Sequence, residues 1–246
     1  MFVVFEGADN VGKTTQVKEV ADLLRNVYDK DVITTRAPGG THIAEAIRTF
    51  IHTLNVDVKD PVCTMLMLTA QLEQVNAIIK PSLTDGKIVL CDRYIYSTYV
   101  YQGFITIADE YTRIDADKTT NTCKLFDVFK AMVNALLAPN LVIYMKASAD
   151  YLIKREIDLK TKGHVEIPEV WKQGADEIGA LWERSINTPF KRSLVNDYDR
   201  LFHLPNLNHY IKEINHFGTT FRTINVEDKS IPDITKLITD CILDFK

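Results

Sequence analysis

The chain has 246 residues with 29 Lys+Arg against 33 Asp+Glu, a formal net charge of −4. That length suits one large α/β domain or two small ones, either able to bury a core without staples. With 46% hydrophobic and 25% charged residues the composition excludes a fibre or a disordered chain; no run of 18 apolar residues marks a membrane span, and mild acidity argues against a broad nucleic-acid surface.

In chain order, Phe2 to Phe5 reads as a short strand that ends in Gly7, followed by a helix from Lys13 to about Tyr28 with Val17, Val20, Ala21 and Leu24 on one face. Asp31 to Arg36 reads as a second strand closed by the turn Pro38-Gly39-Gly40. Helical patterns cover His42 to about Leu54 and Pro61 to about Leu83, and Asp85-Gly86 stops the second of them. A buried strand is expected at Lys87 to Cys91, a helix at Cys123 to Leu137 and a strand at Leu141 to Met145. Ala149 to about Lys160 and much of Val170 to Leu194 are expected as helix, and Phe221 to Val226 as the last strand. Pro232 then opens a helix with Ile234, Leu237, Ile238 and Ile242 on one side. The stretch from about Asn196 to Thr220, rich in Asn, Asp and His, is the least regular and reads as an insertion without assigned function.

Five buried-looking strands alternating with helices imply an α/β fold with a parallel sheet covered on both faces, as a single domain over residues 1–246. Ligands are expected beyond the carboxyl ends of the strands. The four cysteines, Cys63, Cys91, Cys123 and Cys241, form no Cys-x-x-Cys pair and read as free thiols of a reducing compartment. The N-terminus lacks a basic region and a small-residue cleavage site, so no signal peptide is expected and the cytoplasm is the predicted location.

Gly7-Ala8-Asp9-Asn10-Val11-Gly12-Lys13-Thr14 fits G-x-x-x-x-G-K-[ST] between a strand and a helix, the context this phosphate-binding loop requires. Its glycines let backbone N–H groups curl around a phosphate at the positive end of a helix. Lys13 would neutralise the β/γ oxygens of a nucleoside triphosphate and the Thr14 hydroxyl would ligate Mg²⁺, while Gly7, Asn10, Val11, Gly12 and Thr15 complete the nucleotide cradle. The strand ending at Cys91 delivers Asp92, suited to a Mg²⁺ partner, and Arg93, whose planar fork suits an anion in the same crevice. A salt pair between Asp92 and Arg93 is the structural alternative. Arg36 and Arg48 flank the Pro-Gly-Gly turn, and joining two polyphosphates needs several cations in one cleft.

Phe5 to Gln16, then Thr35-Arg36-Ala37-Pro38-Gly39-Gly40-Thr41 with Glu45 and Arg48, then Asp92-Arg93-Tyr94 with Ser97-Thr98 and Tyr101-Gln102-Gly103, together resemble the thymidylate kinases. Order and spacing match through about residue 155. The resemblance implies a P-loop kinase with a mobile lid that phosphorylates dTMP with ATP and Mg²⁺ in dTTP synthesis, as a homodimer. It further implies that Asp9 faces the sugar and phosphate of the acceptor and that Arg48 and Arg93 hold that phosphate. Thr98 and Gln102 would lie near the pyrimidine, Tyr101 beside the deoxyribose and Arg155 on the adenine. The lid candidate is about 155–165, with Lys160 and Lys162; a solvated helix end is the alternative for those lysines.

Three departures bear on the base. Ala37 stands where the family carries Glu, and Met67 and Gln71 stand where it carries a stacking Phe and a base-reading Arg. The chain is also long, through about 196–220. A deoxynucleoside kinase or a broad-specificity deoxynucleotide kinase, including one for modified pyrimidines, is the nearest rival. A P-loop regulatory ATPase is the more distant one, and would leave Arg48, Arg93 and Gln102 idle.

Overall fold

The computed structural model describes residues 1–53, 61–101, 121–161, 188–203, 216 and 218–245. Its five strands are β1 (Phe2–Glu6), β2 (Val32–Arg36), β3 (Ile88–Asp92), β4 (Leu141–Lys146) and β5 (Thr220–Asn225). They form one parallel sheet in the order β2-β3-β1-β4-β5. The five-stranded parallel α/β sheet expected from strand–helix alternation is therefore present.

The central strands follow from their sequences. All of Phe2–Glu6 is buried, as are five of the six residues of β4, because both faces of a central parallel strand are covered. Burying each of these large apolar side chains contributes roughly 1.5–3 kcal/mol, which fixes the register of the sheet's middle. The outer strands depart from the expectation of five buried strands. β2 and β5 keep Thr and Arg side chains half or fully exposed, since each has a neighbour on one side only.

Helices α1 (Lys13–Asn26), α2 (His42–Thr53), α3 (Pro61–Gln74) and α4 (Lys80–Thr84) precede β3. The run expected as one helix from Pro61 to Leu83 is interrupted by a π-helical turn at Val75–Ile79. By length and composition Val62–Thr84 could cross a membrane; here 44% of its most apolar window is buried, and α3 packs against α2. Gln71 and Gln74 lie buried on it, Gln71 donating to the Thr98 hydroxyl and Gln74 to that of Thr35 in β2, so it serves this fold as a core helix.

Beyond β3 come α5 (Ile95–Tyr101), α6 (Asn121–Asn134), α7 (Ala149–Thr161), α8 (Thr188–Phe202) and α9 (Ile231–Leu243). The insertion expected from Asn196 is corrected here: residues 196–202 continue α8, and Thr220 opens β5. Leu194, Val195, Tyr198 and Leu201 recur at helical spacing and are buried, while the intervening Asn and Asp side chains that suggested a loop line the helix's polar side. α5 was not anticipated from sequence; six of its seven residues are buried, so it carries no amphipathic period. The remainder of the expected insertion, 204–215, and the helical pattern at 170–187 lie outside the described residues.

Candidate functional site

The loop between β1 and α1 is held open by backbone geometry. Gly7 has φ 142°, and a Cβ there would stand 2.5 Å from the Met145 carbonyl oxygen of β4, so no larger residue fits. Gly12 has φ 104° and begins α1 without any side-chain cap, and no acidic residue occupies the first turn. The helix therefore presents its N–H groups and positive end to the crevice, the arrangement that receives phosphate. Lys13 is buried and donates to the Gly7 and Ala8 carbonyls at 2.9 and 2.8 Å. Burial, and then the Arg93 charge, push its ammonium down to about 8, although Asp9, Asp92 and Glu6 pull the other way.

β3 ends on the second half of the site. Asp92 Oδ2 accepts the Thr14 hydroxyl at 2.5 Å, and its Oδ1 is buried without a hydrogen-bond partner among the described residues. A hydroxyl beside a carboxylate oxygen with unused lone pairs is a donor set that fits Mg²⁺. Arg93, with φ 69°, turns its guanidinium back under the loop. It donates to the Gly7 carbonyl, the Ser97 hydroxyl and the Tyr198 hydroxyl at 3.1–3.3 Å, forms a short ion pair with Asp9, and lies 5.2 Å from the Tyr101 ring centroid. Tyr101 donates its hydroxyl to Asp9 at 2.7 Å. Desolvation raises the Asp9 pKa, but Arg93, Lys13 and Tyr101 outweigh it and hold the carboxyl below the usual range.

Glu6, to which sequence reasoning gave no role, supports all of this from beneath. It is fully buried and accepts from the Tyr94 and Ser97 N–H groups at 2.8 and 3.2 Å and from the Ser97 hydroxyl at 2.6 Å. It thereby caps the start of α5 and fixes where Arg93 leaves β3. Burial raises its pKa, with Ser97, Arg93 and Tyr94 opposing. The clue lay in one carboxylate closing an otherwise wholly apolar strand.

Two cavities meet at these residues. A crevice of about 780 Å³ runs over Gly12, Lys13, Thr14, Thr15, Asp92 and Arg155. A smaller cavity of about 230 Å³ lies between α2, α3 and α5, lined by Ile51, Met67, Gln71, Thr98 and Tyr101. Asp9, Ala37, Arg48 and Arg93 line both. Arg48 is anchored on the Pro38 carbonyl at 3.2 Å. Arg36 lines only the larger crevice, where its guanidinium is paired with Glu45 at 2.9 Å. Asn10, with φ 64°, donates to Glu156, and Val11 is buried under the loop. Arg155 lies against Gly12 and donates to Tyr151 at 3.4 Å. Gln102 and Lys162 lie outside the described residues, as does the Lys160 side chain.

Sequence reasoning also missed what α8 brings to the loop. Tyr198 bonds Ser97 at 2.9 Å, and Lys191 forms a buried ion pair with Glu156 beside Asn10. Asp199 joins the helix to β4 by accepting from Tyr144 at 2.7 Å and Lys146 at 2.9 Å. The helical recurrence of Leu194, Tyr198 and Leu201 carried that information.

The sequence model described as Thymidylate kinase matches residues 5–161. Among curated proteins, the chain is 50% identical over 103 residues to a thymidylate kinase of Bartonella quintana (strain Toulouse), covering 42% of this chain and 48% of that protein. It is 43% identical over 120 residues to one of Neorickettsia sennetsu, covering 47% and 56%. The chain thus spans about half the length of the curated relatives it matches. A crystal structure of thymidylate kinase from Ehrlichia chaffeensis aligns over 99% of this chain and 98% of that one, with TM-score 0.57 and 22% identity, a likeness of fold.

Proposed function

The chain belongs to the thymidylate kinase family, and on that premise we propose that it transfers the γ-phosphoryl group of ATP to dTMP, giving dTDP and ADP. The observation that carries this reading is the junction of the two cavities. One has a P-loop as its floor, the other is apolar with a buried amide and hydroxyl, and Arg48 and Arg93 line both.

ATP lies along the larger crevice with its phosphates on the N-terminus of α1 and its adenine toward Arg155. The acceptor enters the smaller cavity base first, so that its phosphate reaches Arg48 and Arg93. Thr14 and Asp92 would hold Mg²⁺, which when bound supplies positive charge to the β- and γ-phosphate oxygens. Lys13 moves its ammonium from the Gly7 and Ala8 carbonyls to the phosphates, exchanging neutral acceptors for charged ones. The acceptor phosphate is already ionised, so no strong general base is needed, and rate comes from alignment and charge. Asp9, bridged to Arg93 and Tyr101, positions the guanidinium at the junction. The lid, about 155–165, would bring cations over the transferring group and exclude water.

Homodimer formation through α2 and α3 is part of the proposal. Ile43, Phe50 and Val62 are more than half exposed on these helices and offer an apolar face. A cytoplasmic setting is supported by Cys63, Cys91 and Cys241, none of which forms a disulfide among the described residues.

A coupled assay of ADP formation with a panel of deoxynucleoside monophosphates and thymidine tests the reading. ADP release driven by dTMP and not by thymidine is the expected result. Release indifferent to every monophosphate, or driven by thymidine alone, overturns it.

A further inference from the structure

Gln71, one of the residues that line the smaller cavity, carries a hydrogen-bonding atom unpaired among the described residues. Gln71 on α3 is 1% exposed and Thr98 on α5 is 2% exposed. Gln71 donates its amide N–H to the Thr98 hydroxyl at 3.0 Å, and its Oε1 is buried with no hydrogen-bond partner among the described residues. Leaving a buried carbonyl unsatisfied costs about 1–3 kcal/mol, so the atom calls for a donor. Ile51, Met67 and the Tyr101 ring give the cavity apolar walls. At about 230 Å³ the cavity lies below the roughly 300–1,000 Å³ of ordinary ligand pockets, which suits a single ring with its plane against methionine and tyrosine.

We infer that Gln71 is the specificity residue of this cavity and that it reads both 4-oxo and 4-amino pyrimidines, so that dCMP is an acceptor alongside dTMP. The inference rests on the kinase reading above and deepens it. As placed, Gln71 offers its carbonyl to the 4-amino group of cytosine. Turned over, the amide offers N–H to the 4-oxo group of thymine, and its carbonyl accepts the Thr98 hydroxyl proton. A threonine hydroxyl donates or accepts equally well, so the Gln71–Thr98 bond survives either orientation. At the 4-position, neither base then leaves the Gln71 amide or the Thr98 hydroxyl without its partner, and unpaired groups are the source of strong rejection. An arginine at this position could only donate, and would refuse the 4-amino group. Met67 adds a flexible, polarizable cover that fixes the ring less tightly than an aromatic would.

Equilibrium binding of dTMP and dCMP to the whole chain, by calorimetry, tests this separately from catalysis. Should neither nucleotide be phosphorylated, the kinase reading falls while the binding ratio still judges Gln71. The wild-type preference for dTMP is expected to stay below about thirtyfold, because both bases keep their hydrogen bonds. Gln71→Glu keeps the shape and only accepts, so it should shift the ratio toward dCMP by about tenfold or more, the effect of one charge-assisted bond. Gln71→Arg should shift it toward dTMP by a similar factor. If Gln71 merely ties α3 to α5, both affinities change together and the ratio stays fixed in each folded variant. That result, or a wild-type preference for dTMP above about thirtyfold, overturns the inference.

Discussion

The two cavities are built by different means. Around the larger crevice the loop's polar groups are committed within the fold: Lys13 to two carbonyls, Thr14 to Asp92, and Glu6 to the start of α5. Its recognition elements are backbone N–H groups and a helix end, which suit any triphosphate regardless of what surrounds it. The smaller cavity is made of side chains from α2, α3 and α5; Gln71 there, like Asp92 in the larger crevice, keeps an acceptor without a partner among the described residues. Backbone machinery tolerates little substitution and carries little specificity; a side-chain cavity can change its ligand with one residue. On the proposed kinase reading, the donor side is therefore the rigid half and the acceptor side the adaptable one.

The largest effect should come from breaking the donor half. Lys13→Ala removes the cation intended for the phosphates, and losses of such contacts run to about 10²–10³ in rate. Retention of more than about a tenth of wild-type kcat would detach the loop from the chemistry. At the junction, the two arginines should separate. Arg48 has one described hydrogen bond, to Pro38, so Arg48→Ala should raise KM for dTMP by about ten- to a hundredfold and spare that for ATP. Arg93 bonds Gly7, Ser97, Tyr198 and Asp9, so Arg93→Ala should also lower Tm and disturb ATP binding through the loop. Equal, acceptor-only losses from both variants would show that Arg93 plays no part in holding the loop.

Glu6 tests whether the two halves share one support. Its carboxylate joins β1 to α5, the helix that carries Thr98 and Tyr101 into the smaller cavity. Glu6→Ala leaves the buried Tyr94 N–H unpaired and takes one acceptor from the Ser97 N–H and hydroxyl, and should destabilise the fold by about 1–3 kcal/mol in urea titration. Glu6→Gln keeps an acceptor oxygen for those groups and should recover most of that stability. If the two variants were equally stable, Glu6 would not be the cap of α5.

This division also explains what the sequence made legible. The P-loop is a contiguous run whose spacing alone fixes strand, turn and helix, and all five strands lie within a residue or two of their expected bounds. The acceptor side could be located only by resemblance, because Met67 and Gln71 of α3 meet Thr98 of α5 through tertiary packing that no local pattern announces. α5 was illegible for the opposite reason: with nearly every residue buried it has no polar face to set a period. The end of α8 was hidden by composition. Asn196, Asp197 and Asp199 suggested a loop, whereas Asp199 is a bonding partner of β4 and Tyr198 of α5. Polar content outweighed a helical recurrence that was present all along.

The smallest predicted effect concerns pH and belongs to the donor half alone. Lys13 is pushed from its ordinary 10.5 down to about 8 by burial and by Arg93. Below that pH it is already charged, and ATP binds without proton exchange at this site. Above it the free enzyme's Lys13 is neutral, while the phosphates of ATP raise its pKa in the complex. Binding must then take up a proton, and affinity should fall by up to about tenfold per pH unit from about 8 upward. The sign for folding is opposite. Between about 8 and 10.5 the unfolded chain holds more protons on Lys13 than the folded one, so this residue's contribution to stability rises with pH. Titration calorimetry with MgATP in buffers of different ionisation enthalpy, from pH 7 to 9.5, measures the uptake directly. Lys13→Ala should bind more weakly throughout and lose the proton uptake. Affinity for dTMP, whose cavity Lys13 does not line, should stay nearly flat over the same range. A wild type whose MgATP affinity is equally flat would mean that Lys13 keeps its charge beneath the loop. The carbonyls of Gly7 and Ala8 and the carboxylates of Asp9, Asp92 and Glu6 would then outweigh its burial.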